Sequence, residues 1–309
     1  MPSLLSNFTG VVAASVTPFK RDYTIDRKAL GENIRFLAKQ PGIRGVLVNG
    51  LAAEVTSLTR KERTDLIECT RGEVAADYLV ISCVSAQSTQ EAVEMAGEAV
   101  KAGANALLVT APSLFARGGA SDPEAPVHFF SAVAGAAKTP VLVFQHQAAS
   151  GLSYPEKTLV KICDIPNVIG IKSTVWDQEI YEREWRALKA MPKPPLVLSG
   201  NDTLLLSNFA LGCDGAILGI ANLLPGPIVD IFEQARSGNL AKARETYFRI
   251  LPLVHAIYQP PAFRYYSRMK EAMVLLGMLK NATVRPPLVP ASEDERAGLR
   301  KALQAAGLL

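Results

Sequence analysis

The sequence predicts an α/β fold, a closed (β/α)8 TIM barrel that carries a C-terminal helical extension. Eight short apolar segments alternate with eight segments of helical periodicity, and most connections between them are short. Alternating strand and helix units of this kind form parallel sheets. Eight such units match a closed barrel better than an open doubly wound sheet. We therefore expect the barrel over residues 1–238 and a helical appendage over residues 239–309.

The eight predicted strands are short runs rich in Val, Ile, Leu and Ala, bounded by turn residues. They cover residues 11–16, 45–48, 78–82, 104–109, 140–144, 168–171, 195–198 and 215–218. Their nearly continuous apolar character is typical of strands that are buried on both faces. This is the pattern expected for the inner wall of a parallel barrel.

The helices between the strands are recognised by their apolar periodicity and by the capping residues at their starts. They are predicted over residues 26–38, 59–70, 88–103 and 127–137, from 154, over 177–189, after 202 and from about 225. Asp26 is expected to cap the first helix. Thr59 with Glu62, and Ser88 with Glu91, each predict a capping box.

After the eighth unit the helical periodicity continues without further strands. Helices are predicted over residues 239–257, 261–280 and 292–306, and the proline-rich segment 285–290 separates the last two. The methionine and aromatic residues within 265–270 are expected to pack helices and to contact other subunits. We assign them no chemical role.

The composition argues against several classes of function. The 309 residues are 49% hydrophobic and 20% charged, and the net charge of +4 includes no dense basic run for nucleic acid or an anionic membrane. The four cysteines and three histidines lack metal-binding spacing, so no metal and no other cofactor is expected. No apolar run has membrane-spanning length, and residues 1–7 do not resemble a signal peptide. The sequence thus predicts a soluble, cytoplasmic protein.

Lys172 is distinctive because it stands where the apolar strand 168–171 runs out. In a barrel of this kind, chemistry takes place at the C-terminal ends of the strands, and Lys172 is the only basic residue expected there. Burial would lower the pKa of its ammonium group, and the neutral amine can attack a ketone to form a Schiff base. The alternative is a lysine just past the strand that points to solvent.

Motifs along essentially the whole chain resemble one family. These motifs are Pro18-Phe19, the Gly-x-x-x-Glu loop 50–54 with Leu58-Thr59, strand 140–144 with Gly151, Gly170-Ile171-Lys172, Asn201-Asp202 and segment 285–290. They resemble the dihydrodipicolinate synthase / N-acetylneuraminate lyase family of class I, pyruvate-type aldolases. The resemblance implies that Lys172 forms a Schiff base with the C2 carbonyl of a 2-oxo acid. It also implies a homodimer or homotetramer.

The substrate-setting positions depart from the family's best-known members. The resemblance aligns Phe144 with a tyrosine that shuttles protons, and Ala149 with an arginine that binds an aldehyde's carboxylate. Leu114 aligns with an aromatic hydroxyl residue. Leu51 and Ala52 align with two hydroxyl residues, although their backbone amides can still bind a pyruvoyl carboxylate. These departures argue against true dihydrodipicolinate synthase activity.

The polar residues that remain look more like the sugar-acid side of the family. Thr174, Gly200 and Asp202 match positions that N-acetylneuraminate-type lyases use to hold a polyol chain. His146 lies two residues beyond Phe144, so both are expected on one face of the strand. An imidazole that titrates near neutrality can replace the missing phenol as general acid/base. The alternative is a surface loop histidine.

Two hypotheses remain after these observations. The first is a Schiff-base lyase, an aldolase or dehydratase acting through Lys172 on a small 2-oxo acid such as a 2-keto-3-deoxy sugar acid. The second is a non-catalytic 2-oxo-acid-binding or regulatory protein on a degenerate aldolase scaffold. The retained lysine with Thr174 and Asp202 favours the first hypothesis. The loss of the family's hydroxyl side chains, including the tyrosine that shuttles protons, favours the second.

Glu54 is expected to bond local backbone N–H groups and shape its turn.

Overall fold

A computed structural model of the chain describes Leu5 and residues 8–309. The signal-peptide prediction concerns residues 1–7, and of these only Leu5 is among the described residues. Eight parallel strands pair in chain order and close into a barrel, in which the first strand pairs with both the second and the eighth. The predicted (β/α)8 barrel is confirmed.

The strands line the barrel and begin and end within two residues of their predicted limits. They are β1 (Gly10–Ala14), β2 (Ile43–Val48), β3 (Leu79–Val84), β4 (Ala106–Val109), β5 (Val141–Gln145), β6 (Val168–Ser173), β7 (Leu196–Ser199) and β8 (Gly215–Leu218). The extra length of β6 decides where Lys172 lies. Its pairing with β5 continues through Phe144 opposite Lys172, so Lys172 is a strand residue rather than a loop residue.

One helix follows each strand and packs outside the barrel. These helices are α1 (Arg27–Ala38), α2 (Arg60–Gly72), α3 (Thr89–Lys101), α4 (Ala125–Ala136), α5 (Glu156–Cys163), α6 (Gln178–Lys189), α7 (Leu205–Leu211) and α8 (Pro225–Arg236). The predicted cap of α1 is present, because the Asp26 side chain accepts a hydrogen bond from the N–H of Ala29. Short 3-10 helices occur between β4 and α4.

The two predicted capping boxes have different outcomes. Thr59 and Glu62 form a complete box at the start of α2. Ser88 caps α3, but the carboxylate of Glu91 accepts the N–H of Gln87 at 2.8 Å instead of the N–H of Ser88. The second box is therefore wrong, because the carboxylate reaches one residue further back along the chain.

The apolar core has two layers, as expected for strands buried on both faces. One layer lies between strands and helices, and the other fills the barrel interior. Interior residues include Val12, Leu47, Ile81, Leu142 and Phe144. Phe144 belongs to the end of this inner layer that lies beside Lys172, so the barrel mouth has an apolar floor.

The C-terminal extension consists of helices that pack on the barrel and on each other. They are α9 (Leu240–Tyr258), α10 (Tyr265–Leu275) and α11 (Glu293–Ala305). The helix predicted over 261–280 is too long, since α10 starts after Pro260-Pro261 and a short 3-10 helix, and it ends before Gly277 at φ 73°. No described helix is long and apolar enough to span a bilayer. The division of the chain at residue 238 stays a prediction.

Glu54 joins the extension to the barrel. It lies in the loop after β2 in a left-handed conformation, and its buried carboxylate pairs with Lys270 of α10. The same carboxylate accepts the backbone N–H of Arg285 at 3.0 Å. The expectation that Glu54 bonds local backbone groups is wrong. A fully buried carboxylate needs a charged partner, and the chain supplies one from 216 residues away.

Candidate active site

Lys172 is buried at the C-terminal end of β6, with only 7% of its surface exposed. It pairs with Phe144 on β5 and Leu198 on β7, and its Nζ lies 5.0 Å from the centroid of the Phe144 ring. Burial lowers the pKa of its ammonium group, and the negative charge of Asp202 acts in the opposite sense. The structure thus contradicts the solvent-pointing alternative and places a lysine of depressed pKa in the barrel mouth.

Gly200, directly after β7, leaves the space that the Lys172 side chain occupies. A Cβ at this position would lie 2.6 Å from Cε and 2.8 Å from Cγ of Lys172, and 3.0 Å from the methyl carbon of Thr174. Its N–H donates to the carbonyl of Ser173 at 2.7 Å, which fixes the loop against β6. Gly200 therefore fixes where the Lys172 side chain lies.

His146 follows β5 directly, and its ring lies on that of Phe144 with 4.4 Å between centroids. Burial, followed by the positive charge of Lys172, lowers the pKa of the imidazole to about 4. Its Nε2 is buried and has no hydrogen-bond partner among the described residues. The ring is therefore on the expected face, beside Lys172. The expectation that it titrates near neutrality is wrong, since burial and the charge of Lys172 lower its pKa to about 4, well below the ordinary 6.5.

Thr174 and the loop after β2 form other parts of the rim. The Thr174 hydroxyl donates to the carbonyl of Gln145 at 3.0 Å, so only its lone pairs remain free for a ligand. Leu51 and Ala52 begin a 3-10 helix, and their side chains rest on the apolar layer inside the barrel. The first N–H groups of such a turn have no acceptor within it, so these amides suit an anion.

Asp202 lies between the loop after β7 and the start of the segment after β8. Its Oδ1 accepts the N–H of Ile220 at 2.8 Å. Burial raises the pKa of the carboxyl to about 6, while the Ile220 N–H and the positive charge of Lys172 oppose this increase. Asp202 is thus a carboxylate that titrates close to neutrality, within electrostatic reach of the lysine.

Sequence reasoning missed the tyrosines of the extension. Tyr258 at the end of α9 and Tyr265 at the start of α10 stack with 5.6 Å between ring centroids, and the negative charge of Asp202 affects the pKa of both phenols. The concentration of tyrosines between residues 258 and 266 was the available signal. Residues 265–270 are predicted only to pack helices and contact other subunits, and Tyr258 is assigned no role, because the sequence does not show that α9 and α10 reach the barrel mouth.

The arrangement is suited to imine chemistry. It combines an amine of lowered pKa, a neutral imidazole and a carboxylate near its midpoint over an apolar floor. Within the described part of the chain, no group of three or more His, Cys, Asp or Glu residues is placed to hold a metal ion. A lysine can use its own iminium as the electron sink, and this chemistry requires only the side chains at the mouth.

Comparison with known proteins places the chain in one family. Residues 7–306 match the dihydrodipicolinate synthetase family. A 4-hydroxy-tetrahydrodipicolinate synthase of Methanopyrus kandleri is 30% identical over 302 residues, covering 97% of each chain. An uncharacterized DapA-like lyase of Thermofilum pendens is 27% identical and covers 98% of this chain and 99% of its own.

Solved structures agree with the sequence relatives. A dihydrodipicolinate synthase from Thermotoga maritima superposes with a TM-score of 0.89 at 28% identity, covering 98% of this chain and 99% of its own. A structure described as a monomeric dihydrodipicolinate synthase variant superposes with a TM-score of 0.91 at 27% identity, covering 100% of both chains. The chain belongs to the dihydrodipicolinate synthetase family.

Proposed function

We propose that the protein is a Schiff-base lyase, an aldolase or dehydratase acting on a small 2-oxo acid through Lys172. The observation that carries this proposal is the buried amine of Lys172, of lowered pKa, above the Phe144 ring at the C-terminal mouth of the barrel. A neutral lysine amine adds to a ketone, whereas an ammonium group does not. Membership of an aldolase-type family supports the same reaction class.

His146 moves protons during Schiff-base formation. The amine of Lys172 attacks C2 of the 2-oxo acid, and a proton must pass from that nitrogen to the hydroxyl that leaves as water. A neutral imidazole next to the amine can accept this proton and return it to the leaving hydroxyl. Phe144 has no hydroxyl for this task. The amides of Leu51 and Ala52 bind the substrate carboxylate.

The substrate class follows from the polar groups at the rim. Asp202 and the lone pairs of the Thr174 hydroxyl suit the hydroxyl groups of a 2-keto-3-deoxy sugar acid. Gly200 leaves room for the side chain of Lys172, which attacks the ketone of the sugar acid. Ala149, exposed in a short 3-10 helix after β5, carries no charge for the carboxylate of an aldehyde. This feature favours sugar-acid cleavage over dihydrodipicolinate synthase activity.

A second candidate is a non-catalytic protein that binds 2-oxo acids. The observation that favours it is the lack of hydroxyl side chains at Leu51, Ala52 and Phe144. Such a protein would form the Schiff base with pyruvate but would not process any longer 2-oxo acid. A homodimer or homotetramer is proposed for either function from family membership alone.

The experiment is a turnover panel with Lys172→Met as the matched control. Each 2-keto-3-deoxy sugar acid is incubated with protein, and the products are assigned by mass spectrometry as pyruvate plus aldehyde or as a dehydrated acid. We expect turnover of at least one sugar acid and no reaction from pyruvate with a carboxylate-bearing aldehyde. Turnover of that pair alone would support a dihydrodipicolinate synthase, and turnover of no compound would support the binding protein.

A further inference from the structure

The extension brings a phenolic hydroxyl to the barrel mouth. Tyr258 is the last residue of α9, and its hydroxyl is buried. A Cβ on Gly219, the residue after β8, would lie 3.0 Å from this hydroxyl and 3.9 Å from Oδ1 of Asp202. The hydroxyl and the carboxyl therefore border the same small space. That space exists because residue 219 has no side chain.

The two groups affect each other directly. The hydroxyl of Tyr258 faces the carboxyl of Asp202 and lowers its pKa, and burial together with this carboxylate raises the pKa of the phenol. The contact is longer or less well aligned than a standard hydrogen bond, and the hydroxyl has no other partner within the described residues. A phenol that keeps its proton donates, so ionised Asp202 is its acceptor. Hydrogen bonds of this kind often tighten when substrate binds.

Groups from several elements surround the Asp202 carboxyl. The N–H of Ile220 donates to it at 2.8 Å, and Lys172 of β6 faces it with a positive charge. On the extension side, Tyr258 faces it directly, and Tyr265 of α10 stacks on Tyr258 with an interplanar angle of 23°. Asp202 is thus held by two backbone amides, those of Ile220 and Gly219, together with one cation and one phenol. The phenol is the group that the barrel itself does not supply.

We propose that Tyr258 is a positioning residue for bond cleavage, whose hydroxyl holds the Asp202 carboxylate toward the substrate bound to Lys172. This inference rests on the proposed lyase function. Asp202 accepts the proton of the C4 hydroxyl, the C3–C4 electron pair moves into the iminium to give a neutral enamine, and C4 leaves as an aldehyde. Asp202 then returns the proton to C3, and water hydrolyses the restored iminium to pyruvate and the Lys172 ammonium group.

The test is Tyr258→Phe, which removes the hydroxyl and keeps the ring that stacks on Tyr265. Borohydride trapping of pyruvate on Lys172 should stay within about twofold of wild type, while kcat for sugar-acid cleavage falls about 10- to 100-fold. The Tyr258 hydroxyl lowers the pKa of Asp202, so its removal should raise that pKa. The acid limb of the pH profile, which is the fall of kcat/KM at low pH, should therefore move to higher pH by about half to one unit.

The matched control is Tyr181→Phe. Tyr181 is a buried phenol of α6 beside Cys213 and Asp214, which precede β8 at the opposite end of the barrel. This variant should retain the wild-type kcat and acid limb. Should Tyr258→Phe fail to fold, Gly219→Ala provides a second route, since its methyl presses on the Tyr258 hydroxyl and should produce the same shift of the limb.

The outcomes separate this inference from the proposed function. Wild-type turnover together with a normal kcat in Tyr258→Phe would overturn the role of Tyr258 and leave the lyase intact. A reduced kcat with an unshifted acid limb would show a merely structural role and would also overturn it. Absence of trapping or of cleavage in the wild-type protein would overturn the lyase, and the inference with it.

Discussion

Gly200→Ala tests whether the loop after β7 sets the position of the nucleophile. The added Cβ would lie 2.6 Å from Cε of Lys172, whereas ordinary van der Waals contact begins at 3.4 Å. The Cε atom must therefore move by about 0.8 Å, with Nζ moving along with it. Misplacement of a reacting group by about 1 Å can cost about 100-fold in rate. We expect Gly200→Ala to form the Schiff base about 30- to 100-fold more slowly than wild type.

The assay measures the rate of borohydride trapping with pyruvate at several pyruvate concentrations. Gly226→Ala in α8 is the control, because a Cβ there meets no atom within 4 Å and this variant should react at the wild-type rate. The φ of Gly200 lies outside the left-handed region, so alanine is allowed by the backbone and the thermal midpoint should change little. Trapping by Gly200→Ala at the wild-type rate would refute the packing argument.

The remaining predictions concern a proton carrier, a buried acid and assembly. His146→Gln removes the imidazole, so turnover should fall about 100-fold while slow trapping at Lys172 persists; normal turnover with an unchanged pH profile would return His146 to a loop role. Burial raises the pKa of Glu184 to about 7 from an ordinary 4.5, so wild-type stability should fall as pH rises from about 4.5 to 7, by about 3 kcal/mol. Glu184→Gln should lack this loss in urea unfolding at pH 5 and pH 8, and an equal pH dependence in both proteins would contradict the assignment. Sedimentation at micromolar concentration should show a dimer or tetramer, and a monomer would contradict that proposal.

The fold and the position of Lys172 could be predicted from the sequence for simple physical reasons. Strand and helix periodicities report burial locally, so the eight units and the strand that presents Lys172 could be recognised without tertiary information. A lysine directly after a buried apolar run is rare, and a barrel places such a residue at its mouth. What could be predicted was therefore the scaffold and one lysine at the barrel mouth.

The rest of the site depends on contacts between distant parts of the chain. Glu54 meets Lys270 across 216 residues, and no local pattern indicates this pairing. The same is true of Tyr258, whose helix periodicity does not show that α9 ends at Asp202. The lowered pKa of His146 arises from burial and from the charge of Lys172, neither of which a spacing of two residues from Phe144 reveals.

Identifying the residue that binds pyruvate tests the central claim most directly. The protein is treated with pyruvate and sodium borohydride, digested and analysed by peptide mass spectrometry, with Lys172→Met as the control. The Schiff-base account predicts a single reduced adduct on the peptide that contains Lys172, and none in the variant. An adduct on another lysine, or no adduct with pyruvate or with any other 2-oxo acid, would contradict it.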